Sequence, residues 1–392
     1  MKSRIIKRQF LKNEKELLFV LLIVTLIGSA GGYIKYLGTE RVNSVVKGQA
    51  NFQYKALLNP NDAQFSNQWA LQKVSAPAAW DKTTGLSDTV IAILDTGVVT
   101  NHQDLSSKIV SGYDFVGNDN DPNPDPGGGN AVYHGTVVAG AAAGATNNYV
   151  GTAGGCWNCK IMPVRVLDNN GEGDSGTIAQ GIRYAADNGA KVINMSFGYA
   201  SNFGPDPTLS SAVDYAYSKN VVMVAAAGND GMGVNYPAAF EKVIAVGAVD
   251  RYDARPSWSS FGSELDVVAP GVSVLSPYSY WDGSKYNTNL YANVSGTSIA
   301  SPVVSGQIAL FNPNLTAYER IGYCTKSLGE STFYGRGLIS YEQYVAPASP
   351  NTLRQTSDIS FSTQGSPAMG EAQTATFKVK NTSADSITVD MG

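Results

Sequence analysis

Five apolar runs of strand length, rich in valine and isoleucine, recur at residues 90–94, 161–166, 192–195, 221–225 and 243–249. A strand with one wet face would alternate apolar and polar residues. These do not, so each is expected to be covered on both faces, as in a parallel sheet. Helix-like stretches separate them, among them 134–143, 177–188 and 212–219, the last followed by Asn220 as a stop. Strand and helix in alternation over residues 62–345 predict an α/β fold. The expected form is a doubly wound, mainly parallel sheet with helices on both faces, its site at the carboxyl ends of the strands.

The flanks read differently. Residues 1–16 form a basic tail carrying Lys2, Arg4, Lys7, Arg8, Lys12 and Lys15, and an apolar run follows over 17–34. A basic flank before a short apolar run is the pattern of a signal peptide, with Gly28-Ser29-Ala30 as a cleavage site. Counted to Ile34, the run also approaches the roughly 18–20 residues that cross a bilayer. Signal peptide or retained anchor, the tail stays in the cytoplasm and the remainder is exported. The expected location is extracellular, secreted or tethered, with the membrane a partner if the segment is not cleaved. Residues 35–61 form a connector, and 119–130 (DNDPNPDPGGGN) a loop by composition. Within 346–392 the linker APASPNT precedes TATFKVKN and DSITVDMG, two strand-like runs across a turn. They are expected to begin an all-β accessory segment that Gly392 cuts short.

Composition narrows the functions. Lys+Arg 28 against Asp+Glu 32 gives a net charge of −4, without the basic excess of a nucleic-acid binder. Hydrophobic residues at 43% exclude wholesale disorder. With two histidines, imidazole chemistry must use His102 or His134.

Four segments carry chemistry. VIAILDTG (90–97) is a buried strand ending in Asp95. YHGTVVAG (133–140) puts His134 where a small-residue helix begins. VAAAGND (224–230) ends a strand on Gly228 and Asn229, and VSGTSIASP (294–302) puts Ser298 at the start of another helix. A serine hydroxyl needs a base to take its proton, histidine is that base near neutral pH, and a buried carboxylate fixes its tautomer. A helix N-terminus and a neutral amide can both meet a developing oxyanion.

In the order acid, histidine, serine, these segments resemble the catalytic motifs of the subtilisin-like serine proteases, whose chain order this is. NDAQF (61–65), SNQWALQKVSAPAAWD (66–81) and RVLDNNGEGDSGTIAQGI (165–182) are most similar to the thermitase branch, and GRGLIS (335–340) to the strand that closes the family domain. The resemblance implies an exported serine endopeptidase acting on polypeptides. Asp95 would orient, His134 act as general base and acid, Ser298 as nucleophile and Asn229 as oxyanion donor. It further implies two edges that hold the substrate as an added strand, Ser196-Phe197-Gly198 and Gly171-Glu172-Gly173. Ala226, Ala227 and Gly228 would wall a roomy pocket for large hydrophobic residues before the scissile bond, Glu172 adding a secondary taste for basic ones. One departure is Val137, where relatives usually carry a second histidine. His102 is expected to cap or pack a loop near the acid.

TNNYVGT (146–152) matches the family's calcium loop. The implied ligands are the carbonyls of Thr146, Val150 and Thr152, the Asn148 side chain, and the carboxylates of Asp62 and Asp104, an oxygen set suited to structural Ca2+. Asp114, Asp119, Asp121 and Asn123 admit either a second ion or a solvated loop, Gly117 standing where thermitase has a further acid. Cys156-Trp157-Asn158-Cys159 lacks partners for zinc, which takes four ligands, so a local disulfide is expected, with Cys324 unpaired. Only a few dozen residues separate the apolar run from Asp62, fewer than the small domain that is the family's usual activation peptide. The rival reading is a catalytically silent, membrane-anchored peptide-binding or adhesion module of protease ancestry. An esterase is disfavoured, because Gly296-Thr297-Ser298-Ile299-Ala300 is not a G-x-S-x-G elbow.

Overall fold

Strand β1 (Val90–Asp95) is buried from Ile91 onward and lies inside the sheet, parallel to β3 (Lys160–Arg165) on one side and β4 (Val192–Met195) on the other. In this computed structural model the described residues are 59–311, 325–341, 375–380 and 386–391. The basic tail, the apolar run, nearly all of the connector and Cys324 lie outside them. Beyond β4 come β5 (Val222–Ala226), β6 (Val243–Val249) and β7 (Val267–Pro270), all parallel, then β11 (Leu338–Ile339) and β10 (Thr325–Lys326). Beyond β3 lies the two-residue β2 (Tyr113–Asp114), parallel to it, and at the other edge of the same sheet β10 and β11 pair antiparallel. These nine strands form one sheet.

Both faces are covered, which is why the strands show no polar alternation. Ile91 and Ile93 join the core under α3 (His134–Ala143) and α6 (Thr297–Leu310), with Val138, Ala142, Val303 and Ile308. Ala92 and Leu94 join the opposite core under α4 (Ser175–Asp187) and α5 (Pro207–Ser218), with Ile182 and Val213. Residues one apart on a strand point to opposite faces, so β1 feeds both cores. Helix α3 is buried from Gly135 to Ala143, apolar all round as a helix inside a protein must be.

Helix starts fall earlier than their apolar spacing suggests. Asp174 accepts from Gly176 and Thr177 N–H, so α4 begins at Ser175 rather than 177. Asp206 accepts from Thr208 and Leu209 N–H ahead of Pro207, so α5 begins at 207 rather than 212. Side-chain caps satisfy the orphan N–H groups of a first turn, and proline is preorganised for its first position. Asn220 has φ 62°, the left-handed conformation of a helix stop.

Strand β8 (Val274–Tyr278) and β9 (Leu290–Val294) form an antiparallel hairpin. It packs on α3 so closely that a Cβ on Gly140 would lie 2.2 Å from Pro277 Cδ. Cys156 and Cys159 are disulfide-bonded and fully buried. The chain leaves β1 for β3 on one side and returns to β4 on the other. That reversal makes the carboxyl ends of β1 and β4 the switch point where α/β sheets form sites. This unit lies within Ala56–Ala348. In the second unit the described residues are β12 (Ala375–Lys380) and β13 (Ser386–Met391), paired antiparallel. Among the described residues no helix is long and apolar enough to cross a membrane.

Candidate active site

Asp95 closes β1 with its side chain fully buried, and His134 opens α3. A Cβ on Gly135 would lie 2.1 Å from the Gly97 carbonyl, so glycine lets the histidine helix sit directly on the turn after the acid. His134 Nδ1 is 2.8 Å from Asp95 Oδ1 and 3.0 Å from Oδ2, and Thr96 N–H donates to Oδ1 at 2.7 Å. With Nδ1–H given to the carboxylate, the neutral ring keeps Nε2 as its acceptor. Burial pushes the His134 pKa down, but the Asp95 charge and hydrogen bond outweigh it and hold the ring above its usual value. The side chain keeps 24% exposure.

His134 and Ser298 line one cleft of about 250 Å3, with Tyr133, Val137, Val138, Val294, Ser295 and Ile299. Asn229 follows β5, and its Oδ1 accepts from the N–H and hydroxyl of Thr297 at 2.8 and 2.9 Å. That fixes the amide by its carbonyl end. A Cβ on Gly296 would stand 2.8 Å from Ser298 Oγ, 3.5 Å from Asn229 Nδ2 and 3.6 Å from Ser298 N. Glycine here, at φ 156°, leaves empty the spot that a hydroxyl and two N–H donors surround.

Ser196-Phe197-Gly198 follows β4 directly, with Ser196 buried, Phe197 half-buried and Gly198 exposed. Glu172 and Gly173 are exposed on a turn in which Asp168 Oδ1 accepts from Asn170 and Glu172 N–H. Ala226 and Ala227 are buried, Ala227 in the core beneath α4 and α5, so a chain along this edge would meet its backbone rather than its methyl. Gly228 is half-buried after them.

Loop 146–152 closes on the two upstream acids. Asp104 Oδ2 accepts from Thr152 N–H at 2.7 Å and Oδ1 from Asn148 Nδ2 at 3.0 Å. Asp62 Oδ2 accepts from Asn147 N–H at 2.7 Å, while its Oδ1 is buried without a hydrogen-bond partner. Burial raises the pKa of both carboxyls. A buried partnerless carboxylate oxygen on an oxygen-rich loop fits a hard cation. Among the described residues no three His, Cys, Asp or Glu side chains cluster, so such a site rests on two acids plus carbonyl and amide oxygens.

The second acidic cluster is engaged otherwise. Asp114 Oδ2 pairs with the fully buried Arg165 at 2.6 Å, and Oδ1 accepts from Val116 and Gly117 N–H. Asp119 and Asp121 cap their own loop through Asp121 and Asn123 N–H. The Arg165 guanidinium supplies positive charge to this cluster, for which the sequence leaves a second ion and a solvated loop both open. His102 is fully buried, its Nε2 3.0 Å from the Leu290 carbonyl and its Nδ1 accepting from Asp104 N–H, the packing role expected of it. Thr297 was not singled out from sequence, although it adjoins Ser298; its link to Asn229 spans 68 residues.

Among known proteins, the Subtilase family model matches residues 87–342. Thermitase from Thermoactinomyces vulgaris is 44% identical over 289 residues, covering 72% of this chain and 97% of thermitase. A thermophilic serine proteinase from Bacillus sp. strain AK1 is 44% identical over 286 residues, 72% of this chain and 67% of that protein. A solved protease structure from Pseudoalteromonas arctica aligns with a TM-score of 0.67 at 33% identity, over 74% of this chain and 99% of that one. Motif order, sheet topology and these relatives agree: the chain belongs to the subtilase family and is a serine endopeptidase.

Proposed function

We propose that the chain cleaves polypeptides through an acyl-enzyme on Ser298. Ser298 Oγ attacks the scissile carbonyl carbon as its proton passes to His134 Nε2. Asp95 holds the ring in the required tautomer and stabilises the imidazolium. The oxyanion is met by Asn229 Nδ2 and Ser298 N–H. His134 then returns the proton to the departing amine, and water repeats the sequence on the acyl group. The supporting observation is the short Asp95–His134 pairing at the mouth of a cleft that His134 shares with Ser298.

The substrate lies between Ser196-Phe197-Gly198 and Gly171-Glu172-Gly173, with large apolar residues preferred beside Ala226, Ala227 and Gly228. Calcium is held by Asp62, Asp104, Asn148 and the carbonyls of Thr146, Val150 and Thr152. When bound it cancels the repulsion between the two acids, and the partnerless Asp62 Oδ1 supports this reading. The N-terminal basic and apolar segments export the chain. The test is a fluorophosphonate label on the purified ectodomain, followed by a peptide library cut with and without calcium. Labelling at Ser298 with peptide cleavage is expected; an unlabelled protein that binds peptides without cutting them would overturn the reading.

A further inference from the structure

Proline at 302 sits inside α6, where it has no N–H to give the carbonyl four residues back. That carbonyl belongs to Ser298. It is taken instead by Ser196 Oγ, which donates to it at 2.8 Å. Ser196 Oγ in turn accepts from Asn194 Nδ2 at 2.8 Å. Asn194 Oδ1 accepts from Ser301 Oγ at 2.8 Å and Ser305 Oγ at 2.9 Å, one and two turns down the same helix. Asn194, Ser301 and Ser305 are fully buried and Ser196 nearly so.

We propose that Asn194 is a positioning residue for the nucleophile, acting through Ser196 on the Ser298 carbonyl and through Ser301 and Ser305 on the body of α6. The proposal rests on Ser298 being the nucleophile. A buried amide fixed at both ends by strand and helix holds a rigid angle between them, and the hydrogen-bond chain leaves Ser196 one orientation. Because Ser196 also heads the proposed substrate edge, one network sets the distance between the bound peptide and the attacking oxygen. Reaction rates are steep in that distance: about 1 Å of misplacement costs about a hundredfold.

The test compares Ser305→Ala, far from any substrate edge, and Asn194→Leu with wild type at 25 °C. Readouts are kcat and KM on one peptide, the second-order rate of fluorophosphonate labelling, and the melting temperature. Ser305→Ala should lower kcat and labelling together by about three- to tenfold with KM within about twofold, and Asn194→Leu by about a hundredfold. Ser305→Thr, which keeps the hydroxyl, should recover most of the loss. A packing role alone would lower the melting temperature and leave kcat and labelling at wild-type values, which overturns the proposal. Should Asn194→Leu not fold, Ser305→Ala and Ser305→Thr decide. A wild type that is not labelled at all would instead sink the assignment of Ser298.

Discussion

Thr297 gives both its N–H and its hydroxyl to Asn229 Oδ1, so the residue before the serine fixes the orientation of the Asn229 amide. An amide held from its carbonyl end can donate only from the other. Asn229→Ala should therefore lower kcat by about 10²–10³-fold with little change in KM, because the donor acts on charge that develops in the transition state. Steady-state kinetics on one peptide checks this. A change confined to KM would put Asn229 in ground-state binding.

Ser298→Ala removes one oxygen from a site with little packing to lose. Turnover should fall by about 10⁶-fold, the scale known for a subtilisin nucleophile, with the circular dichroism spectrum unchanged. Near-native rates in that variant would rule out the acyl-enzyme.

The pH dependence follows from the Asp95–His134 pair. With neutral His134 as the proposed base, activity should rise with pH through a midpoint above the ordinary histidine value of ~6.5, because Asp95 outweighs burial. Asp95→Asn leaves burial unopposed, so the midpoint should drop and kcat fall by about 10⁴-fold. Stability carries the opposite sign. A histidine whose folded pKa is raised contributes stability that is full below its unfolded value and lost as pH rises through the folded one. Acidification toward pH 6 should thus increase this pair's contribution to the melting temperature, and Asp95→Asn should remove that part of the pH dependence. His102→Gln should leave the activity midpoint in place, since both its ring nitrogens serve backbone groups.

Chelation should loosen the N-terminal segment. Asn61, Asp62 and Gln64 all hydrogen bond to loop 147–151, with two buried acids facing that loop. Their folded pKa values are raised, so without a cation the stability they allow is present while they are protonated and lost as pH rises through those values. A cation bound only to the folded state reverses this and adds about 2.7 kcal/mol at a hundredfold excess over Kd. Chelator should lower the melting temperature and open the chain before Trp80 to proteolysis, and Asp104→Asn should blunt both effects. Identical melting with excess calcium and with chelator would dismiss the site.

The sheet was legible because Val192–Met195 and Val243–Val249 are buried on both faces and their sequences say so. The first turn of α5 was less legible, because Asp206 and Pro207 signal a start that the apolar spacing alone places later. Strand β9 is half-exposed along most of its length and has no such signature. The partners of buried polar groups were not readable. Asn194 looks like any strand residue until α6, 107 residues on, brings Ser301 against it. Asp114 could be read as an ion ligand or as part of a solvated loop, and its pairing with Arg165, 51 residues away, was not legible.

The switch-point topology also gathers the proposed machinery from distant parts of the chain. Asp95 ends β1, His134 opens α3, Asn229 follows β5 and Ser298 lies at the start of α6, which packs in the core with Ile91 and Val224 of the sheet. Bringing together residues this distant in sequence costs loop-closure entropy before any contact between them rewards it. On the catalytic assignment proposed above, no single one of these segments carries a working fragment of the machinery. On that assignment, cutting ability is a property of the assembled core and of no part of it.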